Sequence, residues 1–181
     1  MTTLIAIIGI GIFCLLAEIM NLKKIIIPVS IVSFMALFGL NITGQLPQIT
    51  GYESMIEVNK FSVAFSSLFI LLTALLILMS APSYAKSSKL SAFISIKVFM
   101  LSGAVAMVSF SNMAMFFLGI EILSIGLYVL AGSDRLNIKS NEAGMKYFLM
   151  GSFASGILLF GITMLYGATG TFDVGTLYEA S

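Results

Sequence analysis

The chain carries repeated apolar runs of about twenty residues, close to the length a helix needs to cross the hydrocarbon core of a bilayer. Lipid offers no water to unpaired N–H and C=O groups, so only helices and closed barrels can span it. The runs are far longer than the ~10 residues of a β-span and lack strict alternation. The expected fold is therefore all-α, a polytopic transmembrane helix bundle of about six spans. They cover residues 2–20, 25–43, 61–81, 91–110, 112–132 and 146–166. The bundle thus takes up residues 1–166, and residues 167–181 form a short tail. Composition agrees: 59% of the residues are hydrophobic and 9% charged, against about 25% charged in soluble domains.

Local signals place the breaks. The first run has no positively charged leader and is followed by Lys23 and Lys24, so it reads as a retained helix. Pro28 fits the first turn of the second helix, where a missing N–H is tolerated, and Pro82 can stop the third. The link at 109–112 is so short that spans four and five must be antiparallel neighbours. Residues 133–143 mix charge and polarity, as a loop or short surface helix would. The GATG of 167–170 reads as a turn closing the sixth helix. Gly151 with Ser155, and Ser152 with Gly156, have the small-xxx-small spacing that lets helices approach closely, and Gly103 can act likewise.

Charges are asymmetric across the predicted membrane. Lys23, Lys24, Lys86, Lys89, Arg135, Lys139 and Lys146 fall on one side. Lys60 falls on the other with Glu53, Glu57, Asp173 and Glu179. The positive-inside rule then puts Lys23 and Lys24 in the cytoplasm, with the N-terminus, the 44–59 loop and the tail outside.

Glu121 is the one charge in the run at 112–132. A carboxyl group at that depth costs roughly 3 kcal/mol to insert, so it faces protein, water or a charged partner. Ser124 and Tyr128 follow at i+3 and i+7 on the same helical face. They form a narrow polar stripe that can donate hydrogen bonds or hold water, as a proton relay needs. A carboxyl that only joins two helices is the plainer reading. Lys97 is the other charge clearly inside a span; it either snorkels to the interface or pairs with a neighbouring helix. Lys146 and Glu18 read as interfacial charges.

Other chemistries are excluded by what is missing. The chain has no histidine and a single cysteine, Cys14, so histidine-based metal sites, catalytic triads and internal disulfides are out of reach. No basic block with interleaved aromatics points to nucleic acid, and no phosphate-binding glycine loop is present.

The stretch SNMAMFFLGIEILSIGLYVLAG, with its F-x-G-x-E-x-x-S core, resembles the fifth-helix region of the subunit N family of NADH-quinone oxidoreductase, respiratory complex I. The K-Y-F, A-S-G-x-L-L-x-G and Y-G-x-T-G elements that follow resemble the next region of that family. The likeness is strong over 91–177 and looser before it; Gly126 stands where relatives often carry proline. It implies part of an antiporter-like inverted-repeat fold in a bacterial inner membrane. It also implies a proton-translocating role in which Glu121 pairs with a lysine on a seventh helix. Ser124 and Tyr128 would tune that acid, and Lys97 has no familiar counterpart. The implied partners are the lipid bilayer, the other membrane-arm subunits and protons as the transported ion. NAD, flavin, iron–sulfur clusters and quinone would be bound elsewhere in the complex and no cofactor by this chain. The family has about fourteen helices in inverted repeats, so the chain reads as a fragment or a split subunit. A cation/proton antiporter subunit and a non-catalytic membrane assembly protein are the alternatives.

Overall fold

The apolar runs fold as helices. The structure, a computed structural model, describes residues 1–20, 23–45, 51, 54–84 and 90–179. The side chains of Glu18, Lys23, Lys24 and Glu179, and the whole of Glu53, Lys86 and Lys89, lie outside the described part, so the charge argument at those positions falls outside it too. In chain order the helices are α1 (Thr2–Ile19), α2 (Lys23–Thr43), α3 (Lys60–Tyr84), α4 (Leu90–Val108), α5 (Met113–Ala131), α6 (Ile138–Thr169) and α7 (Val174–Glu179). Among the described residues five helices, α2 to α6, are long and apolar enough to cross a membrane; α1 is a shorter apolar helix over Thr2–Ala17.

Three boundaries differ from the sequence expectation. Pro28 sits inside α2, beyond its first turn, where its ring nitrogen cannot donate to the preceding turn. The α3 backbone stays helical past residue 82 to Tyr84, so that proline does not stop the helix where it stands. The polar stretch before residue 146 belongs to α6, which starts at Ile138 and runs for 32 residues. At 1.5 Å per residue α6 is about 48 Å long, more than a hydrocarbon core needs. Its first turns are held by Asn137, whose side chain accepts from the Lys139 N–H at 3.0 Å, and by the exposed Glu142–Lys146 pair one turn on. At the far end Gly170 adopts φ 72° and donates to the Tyr166 carbonyl, the left-handed stop that glycine accommodates without strain. The tail then forms the short helix α7 rather than only a turn.

The 109–112 link holds more than two helices together. The Glu57 N–H donates to the Ser109 carbonyl at 2.8 Å, and the Ser111 N–H to the Met55 carbonyl at 3.1 Å. On its other side Met113 donates to Phe172 at 2.9 Å, and Val174 to Ser111 at 3.0 Å. The link is thus an extended segment bridged to residues from before α3 and after α6. Asn112 also caps α5, accepting from the Ala114 N–H at 2.9 Å.

α4 is the hub, packed against α1, α3 and α5, while α6 touches mainly α5. Lipid is as apolar as these helix surfaces, so association depends on close packing and polar contacts rather than on apolar burial. Both are visible. Asn41 of α2 accepts from the Thr3 hydroxyl of α1 at 3.2 Å and donates to the Ser67 hydroxyl of α3 at 2.9 Å. Ser30, Ser67 and Ser102 donate back to carbonyls one turn earlier in their own helices, which lets hydroxyls be buried without a partner helix. Gly103 of α4 and Gly119 of α5 meet so closely that a Cβ on Gly103 would lie 2.7 Å from the Gly119 carbonyl oxygen and 2.9 Å from the Leu123 nitrogen.

Those obstacles are backbone atoms, which cannot swing aside. Gly103→Val is expected to destabilise the bundle by about 1–3 kcal/mol. Gly161→Ala on α6, where a Cβ meets nothing within 4 Å, should be neutral or mildly stabilising. Thermal melting of the full-length protein in detergent compares the two.

Candidate functional site

The contact with α4 fixes how α5 is turned. Gly119 and Gly126 face α4, the first against Gly103 and Met107, the second against Met100. Glu121 comes two residues after Gly119. At about 100° per residue it lies roughly 200° round the helix, directed away from α4. On the same count Ser124 lies roughly 140° and Tyr128 roughly 180° round from Gly119.

Within the stripe only Tyr128 has its contacts fixed. Its ring packs over Gly151 of α6, where any Cβ would overlap the phenol oxygen. Tyr147 and Phe148 flank it edge-to-face, with ring centroids 5.0 and 5.9 Å away. One turn further along, Gly132, which caps α5, and Gly144 of α6 meet backbone to backbone, and a Cβ on Gly144 would come 2.7 Å from the Gly132 Cα. The small-residue spacing around Gly151 therefore does admit a neighbouring helix. What it admits is an aromatic ring, and the sequence pattern gave no hint of that.

Glu121 is half-buried, and its Oε1 is fully buried with no hydrogen-bond partner among the described residues. Neither Ser124 nor Tyr128 donates to that oxygen, so the hydrogen bonds expected within the stripe are not made there. A buried carboxyl oxygen with no donor is costly, by about 1–3 kcal/mol or more when charged. Lys97 does not supply the missing partner. Its ammonium donates to the Ser80 hydroxyl of α3 at 2.9 Å, and it lines a groove against α3 with Leu72 and Leu76. Ser80 closes the apolar stretch of α3, so this bond fits both readings of Lys97. Lys146 is exposed and paired with Glu142. Among the described residues no cluster of three His, Cys, Asp or Glu side chains could hold a metal ion.

The arrangement is half of a site. One helix presents a carboxyl group on the side turned from α4, the phenol of Tyr128 on that side packs on α6, and no described residue hydrogen-bonds the buried Oε1. Tyr128 and Gly151 should behave as a coupled pair. Gly151→Ala alone should destabilise the α5–α6 contact, and Tyr128→Ala should relieve most of that loss. A double-mutant cycle on thermal stability should show a coupling of about 0.5–3 kcal/mol, and additive losses would contradict the packing described.

Known proteins share this sequence and fold. Residues 110–181 match the transmembrane family described as NADH:quinone oxidoreductase/Mrp antiporter. The chain is 63% identical over its whole length to a NADH-quinone oxidoreductase subunit N from Flavobacterium johnsoniae, covering 39% of that protein. It is 40% identical over its whole length to the subunit N of Cytophaga hutchinsonii, covering 40% of it. The chain thus spans about two fifths of the length of these relatives. In three dimensions it matches a chain of respiratory complex I from Thermus thermophilus with a TM-score of 0.76 at 21% identity, over 96% of this chain and 38% of that one. A chain of an archaeal membrane-bound sulfane sulfur reductase shares the fold with a TM-score of 0.68 at 20% identity.

Proposed function

We infer that this chain, which belongs to the NADH-quinone oxidoreductase subunit N family, supplies part of the proton-translocating path in the membrane arm of such a complex. The observation that carries the reading is the orphaned Oε1 of Glu121. A buried carboxyl oxygen with no donor is open to a proton or to a positive group brought to it by another part of the complex. A lysine on a helix beyond the two fifths of the relatives covered here is the partner we assign to it, in keeping with the family pattern. Moving that lysine toward or away from Glu121 would make or break their pairing as charges elsewhere in the complex rearrange, and so pass a change along the membrane arm. Ser124 and Tyr128 would then orient water or the proton beside the carboxyl, and Lys97, engaged with α3, stands outside the relay.

In this reading the complex is an oxidoreductase that passes electrons from NADH to quinone and moves protons outward. NAD, flavin, iron–sulfur clusters and quinone are held by other subunits. The end of the bundle carrying the 109–112 link and the N-terminus faces out of the bacterial inner membrane. The end carrying Arg135, Lys139 and Lys146 faces the cytoplasm, where loop lysines and arginines accumulate.

The test is Glu121→Gln in the complete complex, reconstituted in vesicles. The expected result is normal assembly with proton translocation lowered at least tenfold, and electron transfer slowed in step. Normal translocation with lost assembly would assign Glu121 to helix association instead, and translocation that depends on sodium would assign a cation antiporter. In the same assay Ser124→Ala combined with Tyr128→Phe should cost clearly less than Glu121→Gln. A loss as large as that of Glu121→Gln would place these two groups on the proton path itself.

A further inference from the structure

At the end of the bundle opposite the 109–112 link, a groove of about 690 Å³ opens where α4, α5 and α6 converge. Phe93 and Ile96 of α4, Val129 of α5 and Phe148 of α6 give it apolar walls. Arg135 and Asn141 line it too, Arg135 from the short connection between α5 and α6. The groove therefore runs from apolar side chains within the spans to a guanidinium just beyond the end of α5. The Asn141 side chain donates to the Arg135 carbonyl at 3.0 Å, which holds the backbone that carries this guanidinium. Among the described residues the one ion pair is Lys146 with Glu142, so Arg135 is not neutralised by a carboxylate there. Lys139 adds a second positive charge in the next helical turn, against Asp134 as the one acid beside Arg135.

We propose that this groove binds an anionic phospholipid, with the phosphate on Arg135 and an acyl chain lying along Phe93, Ile96, Val129 and Phe148. The apolar walls within the spans select an acyl chain over a soluble anion. The guanidinium, placed at headgroup level, selects a phosphate that carries no compensating cation. Its planar fork of donors matches phosphate oxygens in a bidentate way. A zwitterionic lipid would fill the same walls but bring its own cation against Arg135. Tyr128 lines the groove as well, but the inference rests on Arg135 and the apolar walls and not on the proton relay, so either can fail without the other.

The complete complex in nanodiscs, with diazirine-tailed phosphatidylglycerol or phosphatidylcholine as the probe, tests it. After photolysis, label on the peptides containing Phe93, Val129 and Phe148 is quantified by mass spectrometry. Phosphatidylglycerol should label them about fivefold more than phosphatidylcholine, the preference one basic residue confers near a membrane surface. Arg135→Gln should bring the two lipids to parity while labelling elsewhere stays the same. Val129→Phe, which fills the groove, should lower labelling by both. Equal labelling of the wild type by the two lipids would overturn the proposal, as would a preference that survives Arg135→Gln. So would an absence of lipid label with protein cross-links in its place, which would mean that a partner helix occupies the groove.

Discussion

The backbone contact between Gly103 and Gly119 governs the rest of the structure. With no side chain on either residue, α4 and α5 approach until carbonyl and amide atoms are the limiting surfaces. That contact turns α5 about its own axis. Once Gly119 and Gly126 are against α4, Glu121 has to look the other way and Tyr128 has to meet α6. In water, burial of apolar surface would share in setting such an arrangement. In lipid it contributes little, so the small residues decide.

The contrast between the buried serines and Glu121 shows how selectively polarity is tolerated. Ser30, Ser67 and Ser102 each reach a carbonyl of the preceding turn, and Asn41 gathers Thr3 and Ser67 into a cluster that ties three helices together. A carboxyl group has no equivalent local acceptor when it is protonated and no local donor when it is ionised. Glu121 Oε1 and Ser95 Oγ are both buried without a partner among the described residues, and of the two groups only the carboxyl can carry a charge.

Much of this could be read in the sequence, because the bilayer reduces the choice to helices of a known length. The all-helical class and the shared face of Glu121, Ser124 and Tyr128 follow from span length and from a period of 3.6 residues. The extent of α6 could not be read that way. Residues 138–145 mix Lys139, Ser140, Asn141 and Glu142 with apolar ones, and hydrophobicity marks where a helix enters the membrane rather than where its hydrogen bonding begins. The proline at 82 misled for a related reason: a missing N–H forbids one hydrogen bond, and the α3 backbone keeps its helical course past it, as α2 does around Pro28. The partners of Tyr128 and Lys97 were beyond reach as well. A small-xxx-small pattern says that something approaches closely without saying what, and Ser80 offers no sequence sign that it will meet a lysine.

The extended link at 109–112 bears on how such a chain is assembled. One edge of it pairs with residues 55–57, which are already made when α4 and α5 enter the membrane; the other pairs with residues 172–174, beyond α6. Synthesis runs from the N-terminus, and domains fold roughly in that order. The second edge therefore stays open through the insertion of α5 and is closed when α6 has carried its distal end across the bilayer. That pairing requires the distal end of α6 to lie at the same end of the bundle as the 109–112 link, so the edge can be matched only when α4, α5 and α6 alternate in direction.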